Sequence, residues 1–209
     1  MITVMLVDDH AVVRTGFRML LATAGIEVTG EAGDGEQACL LYAKVRPSVV
    51  VMDLSMPGMG GIEAVRRLLA QHSQARVLAL SAHEDSAHPR RVLRAGALGY
   101  LAKRGAPDEL IVAVKTVARG ERYVDGQTAQ VLALAQLDGH SNPVDLLSER
   151  EFSVFIQLAR GKSVAQIADN LKLSPSTVGT HLYHVKQKLG ASNQSALTLT
   201  ALHWGLLAS

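Results

Sequence analysis

The sequence predicts two folds in one chain. The front is an α/β unit with a five-stranded parallel sheet and helices on both faces; the back is an all-α unit of four helices. Short apolar runs alternate with amphipathic stretches up to about residue 119. Such runs, nearly continuous in Val, Leu and Met, mark strands buried on both faces. From Leu147 onward the pattern is wholly helical, and the stretch between has a different, more acidic composition.

The strand candidates are Val4–Val7, Ile26–Thr29, Val49–Met52, Val77–Leu80 and Tyr100–Ala102. Helix-like segments lie near 11–24, 35–45, 60–71, 87–95 and 107–119. This alternation argues for an open sheet covered on both sides. Gly120-Glu121-Arg122-Tyr123 reads as the exit from the front unit, Gln127–Leu137 as a short helix, and Leu137 to Pro143 as a polar connector. Ala129, Leu132 and Leu137 are expected to pack against one of the domains. The expected domains are therefore 1–119, a linker 120–145, and 146–209.

In the back third, Ser148-Glu149-Arg150-Glu151 is a capping box opening a helix to about Arg160, with Gly161 as its stop. Ser163-Val164-Ala165-Gln166 opens a second helix to Leu171. Ser174-Pro175 supplies an N-cap and a first-turn proline for a third, ending near Gly190. A fourth runs from Gln194 to Leu206. The second and third, joined by Lys172-Leu173-Ser174, make a helix-turn-helix.

Composition narrows the function classes. Cys39 is the only cysteine, so neither an intrachain disulfide nor a cysteine-rich zinc site is available. No apolar run reaches the length of a membrane span, and Met1–Val7 is too short for an export signal, so a cytoplasmic protein is expected. The net charge of +2 divides into +2 for residues 1–119, −3 for 120–145 and +3 for 146–209. The basic end permits nucleic-acid binding without proving it.

Ligands of open α/β sheets bind at the carboxyl ends of the strands. Asp8 and Asp9 follow the first run, Asp53 the third, Ser81 the fourth and Lys103 the fifth. Clustered carboxylates repel unless a cation compensates, and such oxygen ligands suit Mg²⁺ shared with phosphate oxygens. A metal, a lysine and a carboxylate nucleophile are the parts of phosphoryl transfer. Singly, each residue is more simply a turn, a cap or a surface charge; it is their conjunction that indicates a site.

The pattern Asp8-Asp9-His10, Asp53-Leu54-Ser55-Met56-Pro57-Gly58, Ser81-Ala82 and Gly99-Tyr100-Leu101-Ala102-Lys103 resembles the flavodoxin-like receiver domain of response regulators. The resemblance implies that Asp53 accepts a phosphoryl group from a sensor histidine kinase. It also implies that Asp9, Asp53 and the Ser55 carbonyl hold Mg²⁺, with Asp8 acting through water. Ser81 and Lys103 would bind the phosphoryl group, and Tyr100 would turn inward in the active state. Arg104 stands where many receivers carry proline.

Along the third helix of the back unit, Val178, Leu182, Val185 and Leu189 form one apolar stripe. The opposite face offers Ser176, Thr180 and Tyr183 to base edges, while Lys172, Lys186 and Lys188 suit phosphates. His181 and His184 lack further nearby ligands for a zinc site. Leu147–Leu197 resembles the LuxR-type helix-turn-helix, through Leu147-Ser148-Glu149-Arg150-Glu151, Ile167-Ala168, Leu173–Val178 and Lys188-Leu189-Gly190. A receiver joined to this module is similar to the NarL/FixJ class. Ser174-Pro175, Thr180, Tyr183 and Gly120-Glu121-Arg122-Tyr123 resemble its GacA/UvrY subgroup, whose implied targets are promoters of small regulatory RNAs. Gly179 departs from the lysine common in the wider family, with close backbone approach as one expected reason.

The expected function is thus a two-component transcription regulator, not an enzyme. Phosphorylation would control dimerisation, through Leu197, Leu202 and Trp204, and binding to an inverted-repeat DNA site, with RNA polymerase a further partner. A magnesium phosphatase is the rival enzyme class; it commonly wants an acid two positions after its aspartate, where this chain has Ser55. A regulator sensing a small molecule would leave the aspartate–lysine set unexplained.

Overall fold

A computed structural model of the chain describes residues 1–82, 87–137, 143–204 and 206–207. The chain forms two compact units, divided between Leu134 and Ala135. In the first, strands β1 (Thr3–Val7), β2 (Glu27–Ala32), β3 (Val49–Asp53), β4 (Val77–Ser81), β5 (Gly99–Ala102) and β6 (Tyr123–Val124) alternate with helices. These helices are α1 (Ala11–Thr23), α2 (Gly35–Val45), α3 (Gly61–Gln71), α4 (Ala87–Arg94) and α5 (Pro107–Ala118), with α6 (Gly126–Leu137) after β6.

The sheet order is β2-β1-β3-β4-β5-β6 and every pair is parallel. Side chains alternate across a strand, so each strand feeds two cores. Leu6, Val51 and Leu80 pack with Leu21 of α1 and Val114 of α5. Met5, Met52 and Ala79 pack with Ala38 of α2 and Leu68 of α3. Full burial of a Val, Leu or Met side chain contributes about 1.5–3 kcal/mol, so strands apolar on both faces are favoured over any solvated arrangement.

Two details differ from expectation. The sheet gains β6, where Tyr123 donates its N–H to the Leu98 carbonyl at 3.1 Å. Tyr123 therefore extends the first unit's sheet, and the linker does not begin at residue 120. Two residues are too few for periodicity to reveal a strand. Ala129 is exposed on α6 rather than packed, whereas Leu132 is half-buried. The Leu137 side chain and connector residues 138–142 lie outside the described residues.

The second unit opens with a 3₁₀ turn, Pro143–Leu146, followed by α7 (Glu149–Ala159), α8 (Val164–Leu171), α9 (Pro175–Leu189) and α10 (Gln194–His203). Both capping boxes form: Ser148 and Glu151 cap α7, and Ser163 and Gln166 cap α8. Ser174 accepts the Thr177 N–H at the start of α9, and Asn193 caps α10. Lys172 adopts a left-handed φ of 53° at the turn between α8 and α9. Phe155, Ile167, Val178, Val185 and Leu197 are fully buried at the centre. The last helix ends at His203, earlier than expected.

Candidate functional site

β1 and β3 are neighbours in space, yet the chain between them passes out to the β2 edge. That reversal opens a crevice at their carboxyl ends, where Asp8 and Asp53 sit. The Lys103 ammonium lies 2.7 Å from Asp8 Oδ2 and 2.8 Å from Asp53 Oδ2. Both carboxylates are buried, at 3% and 1% exposure. The backbone N–H of Ser55 donates to Asp53 Oδ1 at 3.0 Å. Ser81 ends β4 fully buried, and its carbonyl accepts the Lys103 N–H at 2.7 Å. Tyr100 is buried among the side chains between the sheet and α2, α3 and α4.

Burial holds the Asp53 carboxyl above its usual pKa, and Lys103 and the Ser55 N–H offset this only in part. For Lys103, burial alone would lower the ammonium, but its bonds to Asp53 and Asp8 outweigh it and hold the group above its ordinary value. The directions agree physically: the lysine faces two acids, while Asp53 faces one lysine and a second acid.

Asp9 is more open, with its side chain 26% exposed and its Oδ1 2.9 Å from His10 Nδ1. Asp8, Asp9 and His10 bring one ligand atom each within 4.8 Å of one another. Lys103 bridges only Asp8 and Asp53, and Asp9 adjoins Asp8, so the acids at the strand ends outnumber the one ammonium between them and offer hard oxygen donors that fit a divalent cation such as Mg²⁺. Among the described residues no peptide bond is cis, so Lys103-Arg104 is trans.

His10 and Arg14 were given no role by spacing alone. The Arg14 guanidinium donates to the Asp8 carbonyl at 2.6 Å and to Glu31 at 3.1 Å, bracing the turn that carries the acids. An arginine one helical turn after the aspartates is the signal that was available. Gly61 is a further such residue. A Cβ built there would stand 2.1 Å from the Asp53 carbonyl oxygen, so only glycine lets α3 start this close to β3.

In the second unit, Ser176, Thr180 and Tyr183 lie exposed along α9, as does Lys172 before it, and Lys186 is half-buried. Tyr183 is 61% exposed, with its ring 5.8 Å from that of His184. The Thr180 hydroxyl donates back to the Ser176 carbonyl at 3.2 Å. The Lys188 ammonium is 2.6 Å from the buried Glu151 and fastens α9 to α7, so the lysine expected at phosphates also serves the fold. Leu197 corrects the sequence expectation: it is fully buried in the core and cannot present a surface to a second copy. Leu202 is 42% and Leu199 66% exposed on α10, with Trp204 partly buried beside them. Gly179 has no protein atom within 4 Å of an added Cβ, so crowding within the domain does not explain it.

Residues 4–115 match the model of the response regulator receiver domain, and residues 145–201 match that of the bacterial regulatory proteins of the luxR family. The response regulator GacA of Pseudomonas protegens is 42% identical over 209 residues, covering 99% of this chain and 98% of the relative. The response regulator UvrY of Escherichia coli is 39% identical, covering 99% and 96%. Among solved structures, RcsB of Salmonella enterica serovar Typhimurium, bound to promoter rprA in the presence of the phosphomimetic BeF₃⁻, is 26% identical. It superposes with a TM-score of 0.68, covering 95% of this chain and 97% of that one.

Proposed function

The chain belongs to the response regulators that join a receiver to a luxR-type DNA-binding domain, a phosphorylation-controlled transcription regulator, and we propose that Asp53 is the residue through which that control is exerted. The observation that carries this is the Lys103 ammonium shared between Asp8 and Asp53. It supports Asp53 as a buried carboxylate held beside a cation suited to receive a phosphoryl oxygen.

The donor is the phosphohistidine of a sensor kinase. An Asp53 carboxylate oxygen attacks phosphorus, the P–N bond breaks, and its electron pair stays on the imidazole nitrogen, which takes up a proton from solvent, leaving an acyl phosphate on Asp53. Asp8, Asp9, Asp53 and the Ser55 carbonyl would hold Mg²⁺, which when bound supplies charge neutralisation to the phosphoryl oxygens. Lys103 exchanges its bond to the Asp53 carboxylate for one to the phosphoryl group, and the Ser81 hydroxyl donates to it. Tyr100 packs inward behind Ser81. Ser55 offers no acid–base group two positions after Asp53, which supports a switch rather than an enzyme turning over phosphate esters.

The new group adds about −1.5 to −2 charges and shifts an existing equilibrium of the receiver. On the DNA side, Ser176, Thr180 and Tyr183 meet base edges, and Lys172 and Lys186 meet phosphates. The exposed Leu199 and Leu202, with Trp204, pair two copies on an inverted repeat at promoters, in the cytoplasm, where RNA polymerase is recruited. The two compact units divide between Leu134 and Ala135, so residues 120–134 of the expected linker belong with the first unit.

The test uses genomic DNA fragments selected by the beryllofluoride-loaded protein. Their affinity is then measured with and without beryllofluoride, for wild type and Asp53→Ala. A gain in wild type that Asp53→Ala lacks is expected. An equal affinity under all four conditions would refute the switch.

A further inference from the structure

Three carboxylates are buried among the described residues of the first unit, and the phosphoacceptor site uses Asp8 and Asp53. The third, Asp125, is 6% exposed and lies just after β6. Its Oδ1 accepts the Thr128 N–H at 2.8 Å, and its Oδ2 accepts the Thr128 hydroxyl at 2.9 Å, which makes it the N-cap of α6. A cap needs no more than that. Yet Oδ2 also accepts the backbone N–H of Ala102 at 3.2 Å, and the Asp125 N–H donates to the Tyr100 carbonyl at 3.4 Å.

Ala102 and Tyr100 belong to β5, the strand that delivers Lys103 to the acids. β6 holds that strand by pairing Gly99 with Tyr123 and Tyr100 with Val124. One side chain therefore ties the strand end beside Lys103 to the first turn of α6, the helix that runs on into the second unit. Only a hydrogen-bond acceptor with two oxygens can serve both amides, and a carboxylate accepts at both without carrying a donor of its own.

We infer that Asp125 is a positioning residue for the phosphorylation response. It links the Lys103 strand to the linker helix, so that a shift of Lys103 toward a phosphoryl group alters α6. This rests on the switch proposed above. When Lys103 changes partners, the Ala102 amide moves relative to a carboxylate fixed by its own cap. Either the strand bond or the cap must then give, and the first turn of α6 registers the change.

The test is hydrogen exchange on the full chain with Mg²⁺, with and without beryllofluoride. Asp125→Ser retains a good N-cap but is too short to reach Ala102. Asp125→Asn keeps the capping oxygen and places an amide donor where Ala102 needs an acceptor. In wild type, exchange is expected to change by about threefold or more both around Asp53 and in α6. In either variant the change around Asp53 is expected to persist while that in α6 is lost. An α6 response in both variants equal to wild type, or an α6 silent in wild type, would overturn the inference. Silence around Asp53 in wild type would overturn the switch itself, and this coupling with it.

Discussion

Replacing Lys103 by Met removes the cation shared by Asp8 and Asp53 while keeping most of the side-chain volume. The side chains of the two acids are 4% and 2% exposed and that of the lysine 18%, so solvent screens the pair little. Removing one partner of a buried pair costs about 3–5 kcal/mol. The lower end applies here, because Asp53 can escape its charge by taking up a proton. Its carboxyl is already raised by burial, and without Lys103 it rises further, since burial and Asp8 remain. A carboxyl raised by folding contributes full stability below the ordinary aspartate value, about 3.9, and loses it as pH climbs through the raised value. The deficit of Lys103→Met should therefore be about 3 kcal/mol near neutral pH without metal and shrink toward pH 5. With an m-value of about 2 kcal/mol/M, the urea midpoint falls by about 1.5 M. Circular dichroism follows both units, whereas Trp204, the only tryptophan, reports on the second alone; the transition seen by dichroism but not by Trp204 is the receiver's, and the Trp204 midpoint should not shift. Added Mg²⁺ should narrow the gap by binding the freed acids. A deficit under about 1 kcal/mol, or one independent of pH, would mean that Lys103 is a solvated surface charge, and the reasoning would fail.

Three further outcomes are expected. Gly61→Ala forces the start of α3 away from the Asp53 carbonyl, costing about 1–3 kcal/mol as overpacking does and slowing acyl-phosphate formation from acetyl phosphate; an unchanged rate and midpoint would contradict this. Burial pushes Glu151 up, but its bonds to Lys188 and Ser148 outweigh that and hold the carboxyl below its usual value. Its stabilisation is present above the ordinary glutamate range and lost as pH falls through the lowered value. The wild-type urea midpoint read by Trp204 should therefore drop between about pH 5 and 3, and Glu151→Gln should give a lower but flatter profile. Lys186→Ala should reduce the slope of log affinity against log salt by about 0.9, whereas Thr180→Ala should change the sequences preferred and leave the slope intact.

What the sequence revealed follows from how local each signal is. The strands of the receiver are apolar on both faces, so β1, β3 and β4 appear as unbroken runs, and the first residue past each run is a site residue by topology alone. The capping boxes at Ser148 and Ser163 are equally local, and both helices begin there. Contacts between distant residues were not legible. Nothing in a linear pattern tells that Lys188 is bound to Glu151, because a lysine on the polar side of a helix looks the same whether it faces DNA or an acid of another helix. Leu197 was misassigned for a related reason: α10 carries apolar residues nearly all round, so periodicity does not separate its buried side from its exposed one. β6 was missed because its two residues gain their structure only from the edge of β5.

The ion pair of Lys188 has a consequence for how control works. Residues 146–209 hold six Lys and Arg against three Asp and Glu. Glu151 engages one of those cations within the domain, leaving Lys172 and Lys186 as the expected phosphate contacts of α9 and its turn. Each phosphate neutralised adds only about 0.9 to the salt slope, so a single domain gains little affinity from charge and must rely on the short face of Ser176, Thr180 and Tyr183. Two copies joined along α10, as proposed above, would present twice the contacts to a two-fold site, and joining would convert the second contact into an intramolecular one. A receiver that biased such pairing by a modest free energy would change occupancy of a promoter far more than the affinity of either domain, and control of this output would need no remodelling of the recognition helix.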